Sequence, residues 1–543
     1  MMENDIDFKR IEKMYGKISP FEFKNELINI AKKENETSRR PLLDAGRGNP
    51  NWTCSTPRLA YFTFGQFAVL ETKRTWCDGD LAGMAHKGGI YNRFMEFYKS
   101  NKQAPGIDFL FDFIEYGINK FSFNPDDFLY ELVDGIIGDN YPYPDRMLPH
   151  TEKIVHNYLL KEMCSNNKSY GNFDIFAVEG ATAAMCYIFD SLKANELLVK
   201  GDKIAIMTPV FTPYLEIPNI PRYSLDIVEI KAEEFTKNGE ETWQYPKSEL
   251  EKLKDKDIKA LFIVNPGNPS SVALDDESRN NLVTIIKEYN PNLIVISDDV
   301  YGTFVPNFRS LMTDLPYNTI GVYSYSKYFG VTGYRLGTIA IQKENVFDDL
   351  IKKLPEDKKN LIRSRYKDLC TDTDNIPFID RVVADSRQVA LNHTAGLSTP
   401  QQVQMALFSG FALLDSQNNY KKLTMDICRR RKKLLFDGLG IELEDNPYSA
   451  YYYTEFNLLN WAKVSFGDSF AKYLQANYTI AYILYKLAKD YSIILLSGSG
   501  FNDSEWSLRI SLANLDDYEY SKIGKVLRKF MISLINEWQE SKN

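Results

Sequence analysis

Lys327 closes the segment Ser324-Tyr325-Ser326-Lys327, and Arg335 follows it by eight residues. Upstream, Asp298 ends a short apolar run with Tyr301 three residues beyond it, and Asn268-Pro269-Ser270 follows a run that ends at Val264. Gly180-Ala181-Thr182 lies between a strand-like segment and the start of an amphipathic one. Each has an ordinary reading alone: a Gly turn punctuates, a strand-end Asp caps a helix, a lone Lys is a solvated charge, and Asn-Pro opens a turn. Together they supply a phosphate cradle of backbone N–H groups and a hydroxyl, plus a carboxylate, a phenol, an amide, an amine and a guanidinium. Neither Gly16-Lys17 nor Gly524-Lys525 precedes Ser or Thr, and Gly46-x-Gly48 does not extend to G-x-G-x-x-G. The two common nucleotide fingerprints are therefore absent. The set fits pyridoxal phosphate. A lysine amine can form a Schiff base with its aldehyde, and a buried carboxylate keeps its pyridine nitrogen protonated. Tyr and Asn can bond its ring oxygen, while Arg, Ser, Thr and a helix N-terminus neutralise its phosphate.

The elements that must position these groups follow from hydropathy. Short, nearly continuous β-branched runs at 173–178, 203–207, 226–230, 260–264 and 293–297, with two more near 319–324 and 336–341, alternate with amphipathic stretches. That rhythm predicts an α/β domain with a mainly parallel seven-stranded sheet covered on both faces. Ligands in such sheets gather at the carboxyl ends of the strands, where the polar residues above fall. Residues 57–135 read as mostly helical with a break at Gly83 to Gly89, and 344–400 as charged and irregular. Helices dominate from 401, with strand-like segments at 450–453 and 508–512.

Composition narrows the classes. The 543 residues imply roughly two to four domains. Lys+Arg of 65 against Asp+Glu of 73 gives a net charge of −8, which argues against nucleic acid and gives no pull toward an anionic membrane. No apolar stretch is long enough to span a membrane, and the acidic start Met-Met-Glu-Asn-Asp is unlike a secretory signal. Six scattered cysteines without C-x-x-C suit reduced thiols in a cytoplasmic protein. Four histidines without ligand spacing give no expectation of a metal.

The wording of these segments resembles the aspartate-aminotransferase superfamily of fold-type I pyridoxal phosphate enzymes, class I/II. Ser-Tyr-Ser-Lys-Tyr-Phe-Gly-Val-Thr-Gly-Tyr-Arg-Leu-Gly (324–337) is similar to its lysine motif and Asn-Pro-Gly-Asn-Pro-Ser (265–270) to its Asn-Pro motif. The resemblance implies Lys327 as the Schiff-base lysine, with Ser324, Arg335, Ala181 and Thr182 on the phosphate. It implies Asp298 on the pyridine nitrogen, Tyr301 and Asn268 on the ring oxygen, and Phe211 stacked on the ring. Arg509, in Ser-Leu-Arg-Ile-Ser-Leu-Ala-Asn, matches the arginine that grips the substrate α-carboxylate. The family's active site lies at a dimer interface, so a homo-oligomer is implied; Tyr141 or Tyr143 would reach the neighbouring phosphate, with Tyr141 preferred. Domains are expected as a 1–40 helical arm, 41–150 with part of a small domain and interface segments, 151–400 as the large cofactor-binding domain with an insertion at about 344–400, and 401–543 as a C-terminal small α+β domain.

Gly46-Arg47-Gly48-Asn49-Pro50-Asn51-Trp52, with Tyr141-Pro-x-Pro-Asp-Arg-Met-Leu, closely resembles the β-decarboxylating branch of that superfamily, which turns L-aspartate into L-alanine and CO2. The implied enzyme has an aminotransferase side activity toward 2-oxo acids. Arg47 is then expected at the β-carboxylate and Gly48 and Asn268 against the substrate. The nearest alternative is an aspartate or aromatic aminotransferase. A cofactor-sensing transcription regulator on the same fold would carry a helix-turn-helix and a basic arm, and residues 1–135 show neither.

Overall fold

The apolar runs become seven strands: β1 (Phe173–Val178), β2 (Lys203–Thr208), β3 (Asp226–Lys231), β4 (Ile258–Val264), β5 (Ile294–Asp298), β6 (Thr319–Ser324) and β7 (Gly337–Gln342). They form one sheet in the order β1-β7-β6-β5-β4-β2-β3. Neighbours from β6 to β3 pair in parallel, and β7 runs antiparallel to both β1 and β6. The computed structural model describes residues 11, 14–15, 19–38, 40–76, 81–165, 172–233, 241–387 and 396–542; Cys77, His393 and most of the first eighteen residues of the expected arm lie outside them.

Both faces of the sheet are buried, which is why its strands read as continuous apolar runs rather than alternating ones. On one face, α-helix Ala181–Ala194 packs Ile188, Phe189 and Leu192 against Ile206, Phe262 and Ile296. On the other, helix Asp276–Tyr289 buries Leu282, Ile285 and Ile286 against Leu261 and Val295. Its start is fixed by Asp275, whose carboxylate accepts from Ser278 N at 2.7 Å.

The segment 344–400 departs from its irregular reading. It forms helices Val346–Lys352, Glu356–Tyr366 and Phe378–Arg387. Asn345 caps the first through Asp348 N at 2.9 Å. The middle helix buries only Ile362 and Tyr366, so its composition looks like a solvated loop. Arg381 adds to the disguise: it is 1 % exposed, and donates to Ile376 O, Thr373 O and Asn195 Oδ1.

Helices Ser55–Arg74, Ile90–Ser100, Ile107–Phe121 and Pro125–Ile137 share a core of Phe64, Phe94, Phe113 and Phe128, and helix Thr399–Leu414 supplies Val403 and Leu407 to it. A further layer draws on both ends of the described chain. Strands β8 (Tyr453–Asn457), β9 (Leu496–Ser497) and β10 (Ser507–Ser511) form an antiparallel sheet in the order β9-β10-β8. The strand expected at 450–453 thus starts where that run ends. Helices Pro20–Ser38, Ile480–Tyr491 and Asp517–Glu540 cover this layer, and Leu43–Asp44 pairs in parallel with Ile493–Ile494.

Candidate active site

The carboxyl ends of β4, β5 and β6 lie side by side and face the β8–β10 layer across a cavity of about 390 Å³. From the sequence-derived set, the cavity wall carries Arg47, Gly48, Ala181, Thr182, Phe211, Asn268, Asp298, Tyr301, Ser324, Lys327, Arg335 and Arg509. Tyr141 is not on it: that side chain is 69 % exposed on the outer surface.

Lys327 is aimed by alternation around the end of β6. Tyr325 is fully buried with its hydroxyl 2.7 Å from Ser409 Oγ, and Phe329 is buried in the same cluster. Ser324 and Ser326 are turned to the cavity, their hydroxyls 2.9 Å apart. The Lys327 ammonium donates to Gly48 O at 3.0 Å.

Arg335 has a left-handed backbone, φ 56°, and donates to Thr332 O at 2.9 Å and Glu179 O at 3.2 Å. Its guanidinium rests on Gly180, where an added Cβ would lie 2.5 Å from Nη2. Gly180 also has φ 87°, so only glycine suits the turn. The arginine thereby sits against the N-terminus of helix Ala181–Ala194, whose first N–H groups have no intrahelical partner. Together with Ser324, Ser326 and Thr182 this makes a phosphate cradle.

Asp298, at the end of β5, is 4 % exposed; it accepts from the Tyr214 hydroxyl and from Val300 N at 3.2 Å. Burial pushes its carboxyl up to about 6, against the pull of Tyr214, Val300 N and Lys327. Asp299 beside it, bonded by Ser297 and Ser310, is pushed to about 8, first by burial and then by Asp298. An acid with a raised native pKa binds more protons folded than unfolded across the interval, so its stabilising contribution is lost as pH rises. The cofactor-free protein should therefore lose stability from about pH 4 through 6 on account of Asp298 and on to about 8 on account of Asp299. Asp299→Asn is expected to flatten the upper part of that decline in Tm; an unchanged slope contradicts the assignment.

Tyr301 is buried, and burial holds its phenol well above the usual range; its hydroxyl donates to Tyr453 at 3.0 Å. Arg509 is 2 % exposed on β10, sandwiched between Tyr453 at 4.4 Å and Phe501 at 5.0 Å. It donates to Asn268 Oδ1 at 3.2 Å and Gly46 O at 2.9 Å, and among the described residues its Nε has no partner. The Gly46–Gly48 turn therefore bridges arginine and lysine through two carbonyls. A Cβ at Gly48 would lie 2.6 Å from the Tyr453 oxygen and 3.4 Å from Lys327 Nζ.

These groups fit pyridoxal phosphate: an anion cradle, a buried acid with only neutral donors in direct contact, an amine opposite it and a ring, Phe211, beside Tyr214. Several wall residues escaped the sequence reading, Tyr214, Tyr453, Phe21 and Lys24 among them. Tyr214 follows Phe211 by three residues and meets Asp298 only through the fold, 84 residues apart in sequence, so no local signal marks it. Tyr453 lay in an aromatic run read only as a strand. Phe21 and Lys24 come from helix Pro20–Ser38 and carry no local signal.

A family model for aminotransferases of class I and II matches residues 165–527. Over 524 residues the chain is 45 % identical to a bifunctional aspartate aminotransferase and L-aspartate beta-decarboxylase from a Pseudomonas species, covering 96 % of this chain and 97 % of that protein. An aspartate aminotransferase from Sulfolobus acidocaldarius is 32 % identical over 200 residues, 36 % of this chain and 46 % of the relative. Among solved structures, the aspartate aminotransferase of Rhizobium meliloti superposes with a TM-score of 0.58 at 17 % identity, over 95 % of this chain and 96 % of that one. The Thermus thermophilus enzyme with maleate gives 0.56 at 14 %, over 93 % and 96 %. At such identities the likeness is one of fold: the mostly parallel seven-stranded sheet with helices expected from the sequence.

Proposed function

Because this chain belongs to the class I and II aminotransferase family, we propose that it converts L-aspartate to L-alanine and CO2 with pyridoxal phosphate, and transaminates to 2-oxo acids as a side reaction. The observation that carries this reading is the charge of the cavity. Lys24, Arg47, Lys327, Arg335 and Arg509 line it against one acid, Asp298, in a chain whose net charge is −8. A phosphate and two substrate carboxylates answer that excess; a monocarboxylate or aromatic substrate does not.

Pyridoxal phosphate, when bound, supplies the electron sink for bonds broken at the substrate's α- and β-carbons. The chain supplies the rest. Arg335, Ser324, Thr182 and the Ala181 N–H hold the phosphate, and Asp298 pairs with the pyridine nitrogen. Lys327 moves the Cα proton, while Arg509 binds the α-carboxylate through a planar fork that lysine lacks. Arg47 and Lys24 approach the β-carboxylate from the Gly46 side; Lys24 Cδ lies 3.0 Å from where a Gly46 Cβ would stand. A group beside a departing carboxylate helps only by favouring the transition state over the bound substrate.

The test is L-aspartate without any 2-oxo acid. Stoichiometric CO2 and alanine support the decarboxylase; oxaloacetate limited to one turnover identifies a plain aminotransferase. In the same assay Arg47→Ala is expected to slow alanine formation about tenfold while Cα deuterium exchange, which relies on Lys327 and Asp298, falls less. Equal loss in both would remove Arg47 from the β-carboxylate. The same reading makes the enzyme a cytoplasmic homo-oligomer of at least two subunits, with Tyr141 reaching a neighbouring phosphate from the outer surface. Among the described residues no helix is long and apolar enough to cross a membrane.

A further inference from the structure

Behind Arg509 the β8–β10 layer carries polar atoms without partners among the described residues. Glu455 stands directly opposite Arg509 in the antiparallel pair of β8 and β10, so both side chains leave the same face of the sheet. Both Glu455 carboxyl oxygens, Asp503 Oδ2, Ser507 Oγ and Arg509 Nε are buried with no hydrogen-bond partner. Three of these residues meet at one point. A Cβ added to Gly498 would lie 2.9 Å from Glu455 Oε1, 3.3 Å from Asp503 Oδ2 and 2.5 Å from Ser507 Cβ. The room a side chain would take is given to a pair of carboxyl groups.

Two carboxylates in such a space do not both ionise; a single proton between them turns two orphaned acceptors into a hydrogen bond. Burial, then Asp503 and Glu241, hold Glu455 well above the usual carboxylate range, with Arg509 pulling the other way. Glu241 is itself pushed up to about 7 by burial and by Asp503. The cluster is not a cation site: among the described residues no group of His, Cys, Asp and Glu is placed to hold a metal ion. Arg509, meanwhile, donates to two neutral acceptors, Asn268 Oδ1 and Gly46 O.

We infer that Glu455 is a positioning residue for Arg509: sharing one proton with Asp503 it stays neutral and leaves the guanidinium to the substrate's carboxylate, and on losing that proton it competes for the guanidinium itself. The inference rests on the reading of Arg509 as the carboxylate-binding residue. It predicts an alkaline limit to substrate binding. Below the Glu455 transition the guanidinium is available; above it, a carboxylate on the neighbouring strand opposes the incoming one. Glu241 and Asp503 set where the transition falls, and Arg509 itself resists it.

The experiment is succinate binding to the cofactor-loaded enzyme, followed by calorimetry from pH 6 to pH 10. Succinate is a dicarboxylate with no amine to react. Wild-type affinity should hold steady and then fall about tenfold per pH unit above a break. Glu455→Gln should keep the low-pH affinity and lose the break. Asp503→Asn should move the break to lower pH, because Glu455 loses the negative neighbour that keeps it protonated. A purely structural role moves the break in neither variant. An unchanged break in Glu455→Gln, an unmoved or raised break in Asp503→Asn, or no break in the wild type overturns the inference. Should Glu455→Gln not fold, the direction of the Asp503→Asn shift decides. Arg509→Ala separates the two readings. If it binds succinate as the wild type does, the substrate role of Arg509 falls and this inference with it. If it loses succinate while Glu455→Gln keeps the break, only the inference falls.

Discussion

Lys327→Ala should abolish Cα deuterium exchange, alanine formation and transamination together, each by about three to four orders of magnitude, the upper range for removing a positioned acid–base group. A common fall is the signature, because proton removal at Cα precedes every later step. The amine is already held in the cavity by the Gly48 carbonyl at 3.0 Å, near Ser324 and Asp298. After incubation with pyridoxal phosphate and reduction with borohydride, the wild-type protein should carry the added mass on the peptide containing Lys327. The variant should carry none there. Retention of Cα exchange in Lys327→Ala, or the mass on another peptide, would reject the assignment.

Arg509→Ala is the second large effect. The guanidinium is 2 % exposed between two rings, so its replacement leaves Asn268 Oδ1 and Gly46 O without their donor and the substrate carboxylate without its partner. Truncating one side of a buried hydrogen-bonded charge pair costs roughly 2–5 kcal/mol, or about 30- to 5,000-fold in kcat/KM. The loss should fall mainly on KM, since the α-carboxylate is held before and after bond breaking alike. Arg509→Lys should recover only part of it, because an ammonium cannot present two parallel donors. A kcat/KM within a few-fold of wild type in Arg509→Ala would place the carboxylate elsewhere.

Much of the site was legible because catalysis of this kind draws on residues at strand ends, and strand ends are written in the sequence. Asp298 closes the run 294–298 and Ser324 closes 319–324; buried strands make those boundaries sharp. Gly46-Arg47-Gly48 was legible as a turn, and its placement between Lys327 and Arg509 follows from two carbonyls that no composition reveals. Lys24 and Phe21 were not legible at all. They reach the cavity only because helix Pro20–Ser38 docks on the far end of the chain, and that docking depends on long-range packing. The misread segment 344–400 fails for a related reason: helix Glu356–Tyr366 buries one narrow stripe and keeps the composition of a loop, while helix Phe378–Arg387 buries Arg381, Asp385 and Arg387, whose letters read as surface charge. Glu455 was invisible because a buried carboxyl has the same letter as a solvated one, and only its position opposite Arg509 distinguishes it.

The layer that closes the cavity joins residues at opposite ends of the chain: Asn514 Nδ2 donates to Asp44 O across 470 residues at 2.6 Å. During synthesis, helix Pro20–Ser38 emerges early with Phe23, Leu27 and Ala31 facing a partner that does not yet exist. At roughly 5–20 residues per second the ribosome needs on the order of tens of seconds to deliver strand β10. Through that interval the nascent chain presents an apolar helix face with no native cover, while the seven-stranded sheet, contained within 173–342, can already assemble. Yield of active protein on expression should therefore hinge on chaperone supply and elongation rate more than on the stability of the sheet. Slowing translation between 342 and the end of this layer would lengthen the exposure.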